Sequence, residues 1–216
     1  MNVYNQIEAR YGFCIPEAYR RLEANGWLSW SEKNPDYLWL DDGEWLTPDQ
    51  ILNYKFQEYH KDGFIPFAFT GGGDLWCWHP GWNANGITPV VFCPRDSYDG
   101  NRYAPNFLGW VFRTIVEFAS SAKCFSEEVE AKKHFARWRK DVAPLLPEAW
   151  AAVVRDLGQK PMRTWPEESG FGGSGFISMA EANEIVQKHL AFPHLEEEIR
   201  WMIPVEKMDL SHLNRK

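Results

Sequence analysis

Three side chains in the middle of the chain have the chemistry of metal ligands: Cys77, His79 and Cys93. Cys77 and His79 would point to the same face of a strand, since side chains two residues apart in a strand share a face. A structural zinc site needs four ligands, usually in closely spaced pairs. We therefore interpret both cysteines as small buried hydrophobic residues and predict no metal site.

A glycine-rich run at residues 170–175 has the spacing GxGxxG. A dinucleotide-binding fingerprint follows a strand and opens a helix, whereas residues 166–169 here read Pro-Glu-Glu-Ser. We interpret the run as part of a loop over 160–176. Asp96 and Asp99 share a polar loop without the ligand pattern of an EF-hand, and neither HExxH nor GxSxG occurs. The sequence predicts no catalytic residue and no cofactor, and an enzyme with an unrecognised site stays open as an alternative.

The composition is that of an ordinary globular protein of one or two domains, with 216 residues of which 25% are charged. The net charge of −7 argues against free nucleic acid as the partner, because phosphate binding relies on clustered Lys and Arg. No apolar run reaches the roughly 18 residues of a membrane helix, and the first residues lack the features of a secretory signal. With only 4 widely spaced cysteines, the chain is expected to be cytoplasmic, with reduced thiols and no membrane contact.

The negative charge is concentrated in residues 34–94, where eight acidic residues face two lysines for a net charge of −6. Such a run is most often a solvated face, but a surface of one sign also steers a partner of the opposite sign. A Trp that faces outward from this segment would anchor an interface. If the segment binds a partner, the residues expected in the contact are Trp39, Asp41, Asp42, Glu44, Trp45, Asp49 and Asp74.

Hydrophobic spacing and turn residues predict helices and strands in alternation over the first half. Pro16 opens one helix. Thr47 caps another, with Pro48 at its first position and Gln50 reaching back to the cap. Pro66 predicts that its strand starts or edges a sheet, because proline cannot donate to a ladder. Helices are expected over 3–11, 16–25, 48–61 and 108–122, and strands over 37–40, 44–46, 64–70, 74–79 and 89–93, with turns at Asp41-Asp42-Gly43 and Asp99-Gly100.

The second half reads as mainly helical. Ser126 and Ser178 are expected helix caps, a further helix spans 147–157, and residues 199–203 form a last strand. Apolar stripes at helical spacing predict that four side chains are buried within this chain: Phe135, Trp138, Trp150 and Val154. We expect residues 123–216 to form a helical extension packed on a core of residues 1–122, in one compact unit.

Short motifs in a fixed order resemble the SUKH superfamily, which includes a yeast cell-wall-synthesis regulator and many bacterial immunity proteins. The resemblance covers about residues 7–120, and the segment between Phe107 and Phe118 is longer than is usual in the family. Residues 123–216 have no counterpart in it. The motifs are Ile15-Pro16-Glu17-Ala18-Tyr19, Phe64-Ile65-Pro66-Phe67-Ala68, Gly71-Gly72-Gly73-Asp74-Leu75-Trp76-Cys77-Trp78, Pro89-Val90-Val91-Phe92, and Ala104-Pro105-Asn106-Phe107 leading to Val116-Glu117-Phe118.

The resemblance implies an α+β fold, with helices packed on a mostly antiparallel sheet. It implies structural roles for Pro16, Gly72, Gly73, Asp74 and Phe118, and we expect Gly72 or Gly73 to adopt a positive φ because two strands reverse there.

For bacterial members, the resemblance also implies binding and neutralising a toxin domain, often a nuclease, with no cofactor. The acidic segment agrees with this, since the substrate cleft of a nuclease tends to be basic. The expected function is therefore that of a bacterial immunity protein, not an enzyme, which binds a basic toxin domain through an acidic, Trp-containing face. A non-enzymatic regulatory or scaffold protein is the alternative.

Overall fold

The computed structural model describes residues 2–26, 43–83, 87–122, 127–165, 173–192 and 197–204. These residues form an α+β fold, which confirms the expected class. The helices are α1 (Val3–Tyr11), α2 (Glu17–Ala24), α3 (Pro48–Asn53), α4 (Phe107–Ser121), α5 (Glu128–Asp141), α6 (Glu148–Leu157) and α7 (Met179–His189). The strands are β1 (Gly43–Trp45), β2 (Ile65–Thr70), β3 (Leu75–Trp78), β4 (Val90–Cys93), β5 (Asp99–Ala104), β6 (Arg163–Trp165), β7 (Gly173–Gly175) and β8 (Glu198–Arg200).

Six strands form one antiparallel sheet in the order β1-β2-β3-β4-β5-β8. The first five are neighbours in chain order, as short connections favour. The sixth, β8, returns from the far end of the chain and pairs with β5, with Gly100 opposite Ile199. A separate pair, β6 and β7, lies beside α4, where the Phe176 N–H donates to the Ala119 carbonyl at 2.7 Å.

The turn between β2 and β3 confirms the expected glycine conformation. Gly73 has a φ of 92°, and its N–H donates to the Thr70 carbonyl at 2.9 Å. A positive φ suits glycine because a side chain would clash with the backbone there. Of the two candidate glycines, Gly73 has the positive φ that lets the chain reverse between the strands, and Gly72 does not.

One face of the sheet carries the larger core, which is continuous with the C-terminal helices. At its centre Trp78 is fully buried and stacks on Phe67, with ring centroids 4.5 Å apart. The expected burial of Phe135, Trp138 and Val154 is confirmed, whereas Trp150 is only half-buried and stacks on Phe112. Phe118 joins the two halves, since its ring meets Trp138 edge-on at 5.1 Å.

The opposite face of the sheet, called the open face here, carries Leu75, Cys77, Val91 and Cys93. Alternation along β3 explains the division, since Trp76 and Trp78 point into the larger core while Leu75 and Cys77 point away. The cover consists of residues 54–64, the short 3-10 turn Pro80–Trp82 and residues 199–202. Among the described residues, none in an α-helix belongs to this smaller cluster.

The expected helix over 48–61 is wrong beyond its first turns. Its start is confirmed as a capping box of Thr47 and Gln50, but α3 ends at Asn53 and Tyr54 is extended, with φ −60° and ψ 132°. The extended backbone lets Tyr54 and Phe56 share one side, where their rings meet 4.9 Å apart against the open face. Burial of these two aromatic rings on the sheet therefore overrides the helical spacing.

Three further expectations are corrected by strand pairing. β2 lies between β1 and β3, so it is not an edge strand. Pro66 is tolerated there because the pairing of β2 with β3 shifts register between Pro66 and Ala68. On its other side, β2 pairs with β1 only from Ala68 onward, so Pro66 has no β1 partner to donate to. Asp99 and Gly100 belong to β5 and not to a turn. The expected loop over 160–176 contains β6 and β7, whose pairing was invisible to local patterns.

Other expectations hold or fall outside the described residues. The Ser178 capping box with Glu181 is confirmed, and α7 begins there. Glu127, without a side-chain capping bond, occupies the position before α5. The expected strand at 37–40, the turn residues Asp41 and Asp42, and the cap at Ser126 lie outside the described residues.

Candidate partner-binding surface

Two of the expected contact acids, Glu44 and Asp49, are on the described surface. Glu44 lies in β1 opposite Phe69, and Asp49 lies in the first turn of α3, where the helix dipole favours a carboxylate. Both are exposed, and neither forms an ion pair with a residue that the structure describes. Trp39, Asp41 and Asp42 lie outside the described residues.

Asp74 acts as a structural residue of the β2–β3 turn. Its carboxylate accepts from the Thr70 hydroxyl at 3.0 Å and from the Arg95 N–H at 2.9 Å, and its own N–H donates to the Thr70 hydroxyl. Thr70 pairs with Gly43 of β1, so this turn lies at the Gly43 end of β1. The Arg95 side chain also donates to the Gly72 carbonyl, so Arg95 holds the turn through both its backbone and its side chain. Asp74 is therefore a half-buried residue whose carboxylate is used within the turn.

Trp45, which was expected in the partner contact, does not face outward. It exposes only 9% of its surface and lies in the larger core, where its ring is 5.0 Å from Trp110 and 6.1 Å from Tyr19. In a strand, adjacent side chains point to opposite faces, so an exposed Glu44 places Trp45 inside. An indole buried in this way stabilises the fold and offers no surface to a partner.

A cavity of about 720 Å³ opens beside the open face and is called the Lys55 cavity here. Burial raises the pKa of Tyr54 above its usual value, which accords with its aromatic surroundings. Lys55 is exposed and forms no ion pair with a described residue. Lys55 also lines two neighbouring concavities, one of them shared with Asp49. The lining residues of the Lys55 cavity are Arg10, Tyr11, Tyr54, Lys55, Phe56, Asp62, Gly63, Phe64, Ile65, Pro80 and Gly81.

Three side chains contact one another on the same face of the sheet: Arg102, Trp82 and His79. The Arg102 guanidinium lies 3.6 Å from the centre of the Trp82 ring, and the His79 ring lies 4.3 Å from the same indole. Burial, with a smaller contribution from the Arg102 charge, lowers the pKa of His79 below its usual value. A neutral imidazole beside a guanidinium on an indole is a stable packing arrangement. Trp82 is half-buried, so it remains a partly accessible Trp on this face.

The potential metal ligands prove to be core residues. Cys77 and Cys93 are both fully buried on the open face, and burial together with a hydrogen bond between the two thiols raises the pKa of Cys93. A thiol with a raised pKa binds metals poorly, because the thiolate is the metal ligand. No group of three metal-ligating side chains occurs among the described residues. Of the GxGxxG run, only Gly173–Gly175 is described, and it forms β7.

Sequence reasoning missed the Lys55 cavity because it placed Phe56 and Tyr59 on a continuing helix. The signal that could have revealed it is the alternation in Tyr54-Lys55-Phe56, with aromatic residues flanking a lysine in the most acidic part of the chain. Read as an extended segment, this pattern leaves the lysine exposed between two half-buried rings, and all three residues line the same cavity.

A model of the SMI1 / KNR4 family (SUKH-1) matches residues 4–113, about half of the chain. The chain belongs to this family. The SMI1/KNR4 family includes toxin immunity proteins, and its members are generally non-enzymatic immunity or regulatory proteins. No curated protein and no solved structure matches the chain.

The SMI1/KNR4 match begins in α1 and ends within α4, at Arg113. It therefore contains Pro16, which immediately precedes α2, and the Gly73 turn, but it ends before Phe118. The sixth strand, β8, also lies outside the match, so the sheet of this protein is completed by a segment from beyond the family region. None of the helices in the described part of the chain has the length and apolar content needed to span a bilayer.

Proposed function

We propose that this protein is a bacterial immunity protein that binds and neutralises a basic toxin domain of the nuclease class in the cytoplasm. The observation that carries the proposal is membership of a family with toxin immunity proteins, over residues 4–113. The proposal needs no catalytic residue and no cofactor in this chain. Binding alone is sufficient when the inhibitor covers the cleft of an enzyme.

The charge distribution supports an acidic contact surface. Residues 34–94 have a net charge of −6, and within them Glu44 and Asp49 are exposed and form no ion pair with a described residue. An acidic surface raises the encounter rate with a basic cleft and orients the two proteins. The proposed surface consists of Asp41, Asp42, Glu44 and Asp49, with Asp74 at the adjoining turn.

With Trp45 in the core, the proposed anchor of this surface is Trp39. A Trp at the centre of an interface is commonly a binding hot spot because it buries a large apolar area. We expect Trp39→Ala to weaken toxin binding by about 2 kcal/mol, or about 30-fold in Kd, mainly through faster dissociation. Surface plasmon resonance with the immobilised toxin domain measures this, with Trp45→Phe as a variant that alters the core and not the surface.

The decisive experiment uses a basic nuclease toxin domain, sought first among the genes that neighbour this one. Co-expression with the wild-type chain should restore growth, and the purified proteins should form a complex. Glu44→Gln with Asp49→Asn should lower the association rate about threefold to tenfold at low salt, and rising salt should erase the difference. Glu17→Gln with Glu184→Gln is the matched control, since both residues are exposed and the change in net charge is the same.

Three outcomes would count against the proposal. If the chain neither restores growth nor forms a complex with the toxin domain, the immunity function is contradicted and the regulatory or scaffold role is favoured. Equal association rates for the two double variants would contradict the acidic contact surface but not the immunity function. An activity in the purified chain alone would favour the enzyme alternative.

A further inference from the structure

The Lys55 cavity differs in charge from the acidic surface beside it. Its lining contains two cationic side chains, Arg10 and Lys55, and one carboxylate, Asp62. Arg10 donates to the Leu52 carbonyl and lies 5.1 Å from the centre of the Tyr11 ring, so both of these contacts are with neutral groups. Lys55 forms no ion pair within the described chain. The cavity is therefore a local cationic site in an acidic half of the protein.

The rest of the lining is aromatic. It includes the rings of Tyr11, Tyr54, Phe56 and Phe64. Phe64 is buried, whereas Tyr54 and Phe56 are half-buried, so each of the latter keeps part of its ring accessible. Its volume of about 720 Å³ lies in the range of 300–1,000 Å³ that is common for ligand pockets.

The shape and position of the cavity favour a chain segment over a compact ligand. The concavity continues past Lys55 into a neighbouring one lined by His60, Tyr59 and Trp201. The two share Tyr54, Lys55 and Phe56, so Lys55 stands at the middle of a longer groove. A peptide in extended conformation presents side chains to alternate sides about every 7 Å along such a groove.

We propose that the Lys55 cavity binds an extended acidic segment of a protein partner. Carboxylates of the segment pair with Arg10 and Lys55. Apolar side chains between these carboxylates pack on Tyr54 and Phe56. The site adjoins the acidic surface at Asp49 but has the opposite charge, so this inference goes beyond the toxin-neutralising role and does not require it.

A single strand of nucleic acid would also combine negative charge with groups that stack on aromatic rings. The position of the cavity disfavours it, because Asp62 lines the cavity and Asp49 lines the adjoining concavity that Lys55 shares. The continuous phosphate backbone of a nucleic acid would be repelled by the carboxylates of Asp62 and Asp49. A peptide can instead place a neutral or basic residue opposite each of them. Charge complementarity therefore selects the peptide.

The test uses the full chain and fluorescein-labelled hexapeptides in which Glu and Phe alternate. Fluorescence anisotropy should show binding of this peptide at least about fivefold tighter than binding of the matched peptide with Gln in place of Glu, as expected for about one charge pair at a partly exposed site. Lys55→Glu should weaken the Glu–Phe peptide by about fivefold or more and leave the Gln–Phe peptide nearly unchanged. Amide chemical shifts should move at Tyr54 and Phe56.

Lys61→Glu is the control, because Lys61 is exposed, lies six residues away, and is not part of the cavity lining. Arg10→Gln provides a second variant that removes the other cation. Equal affinity for the two peptides, equal effects of Lys55→Glu and Lys61→Glu, or tighter Lys55-dependent binding of an oligothymidylate would each overturn the proposal. The assay contains no toxin, so its outcome is independent of the immunity function.

Discussion

The two faces of the six-stranded sheet are covered by different kinds of structure. The larger core lies under helices, and its aromatic residues such as Trp78, Phe67 and Trp110 touch one another in stacked or edge-on pairs. The open face is covered by irregular segments and by the chain around β8, and it keeps several aromatic rings half-exposed. Each face contains a fully buried Trp, Trp78 on one and Trp201 on the other.

This difference suits the helix-covered face to stabilising the fold and the open face to binding a partner. A helix satisfies its own backbone hydrogen bonds and can cover a core completely, whereas irregular segments leave grooves between them. The grooves of the open face are where the Lys55 cavity lies. The family region alone does not build this face, since Trp201 and Met202 come from beyond residue 113. The C-terminal part of the chain therefore contributes directly to the surface that we propose for binding.

The largest expected effect contrasts the two buried tryptophans. Trp78→Ala should lower the free energy of unfolding by about 3–5 kcal/mol, since it leaves a cavity among Phe13, Tyr19 and Phe67. Trp201→Ala should cost less, about 1–3 kcal/mol, because residues 197–204 can detach locally without global unfolding. Urea unfolding followed by circular dichroism measures both.

Hydrogen exchange distinguishes local from global loss in these variants. In Trp201→Ala, faster exchange should be limited to residues 197–204 and to the N–H groups bonded to them, such as that of Lys61. Trp78→Phe and Trp201→Phe are the matched controls, since they retain a ring at each site. Equal costs for the two alanine variants would contradict the difference between the faces.

The next effect concerns attachment of the β6–β7 pair to the helix-covered side. A Cβ added at Gly175 would lie 2.4 Å from the Ala119 carbonyl oxygen, so Gly175→Ala must displace β7 from the end of α4. We expect a cost of about 1–3 kcal/mol in urea unfolding. Gly173→Ala, in the same strand but with open space around its Cβ, should change stability by less than about 0.5 kcal/mol. Similar costs at both positions would show that β7 is not held against α4.

A smaller effect is expected from a single buried hydrogen bond in the larger core. The Tyr19 hydroxyl donates to the Leu46 carbonyl at 2.9 Å and thereby ties α2 to the chain after β1. Tyr19→Phe should cost about 1 kcal/mol, because the carbonyl loses its side-chain donor in a buried position. Tyr98→Phe, at an exposed tyrosine near the open face, should be neutral within about 0.5 kcal/mol in the same urea titration. A larger loss at Tyr98 would contradict the assignment.

The elements predicted correctly from sequence depend on local signals. The capping boxes at Thr47–Gln50 and Ser178–Glu181 each involve residues three apart, and the turn at Gly73 involves consecutive residues. Side-chain chemistry over such short distances fixes the backbone regardless of what packs above it. The order of family motifs added the antiparallel sheet, which local propensity alone does not specify.

The elements predicted incorrectly depend on distant partners. The end of α3 is set by packing of Tyr54 and Phe56 on the sheet, and β7 exists through its pairing with β6. For the candidate site, the exposure of Glu44 and Asp49 followed from their turn and helix-start positions, but the inward direction of Trp45 depends on the register of β1 with β2. The Lys55 cavity brings together residues 10–11, 54–56, 62–65 and 80–81, and the alternation in Tyr54-Lys55-Phe56 is its one local signal.

The smallest expected effect is a pH dependence that should appear first on the open face. Burial lowers the pKa of His60 and of His79 below the usual value of about 6.5. Below about pH 6.5 the unfolded chain therefore binds more protons than the folded chain. The free energy of unfolding is highest above about pH 6.5 and falls as the pH drops below that value.

His60→Asn with His79→Gln should flatten the change in urea midpoint between pH 7.5 and pH 5.5. His189→Gln is the comparison on the helix-covered side, where burial also lowers the pKa of the imidazole. If acid speeds hydrogen exchange near His189 before it does so around Lys61 and Ile203, the open face is not the weaker of the two.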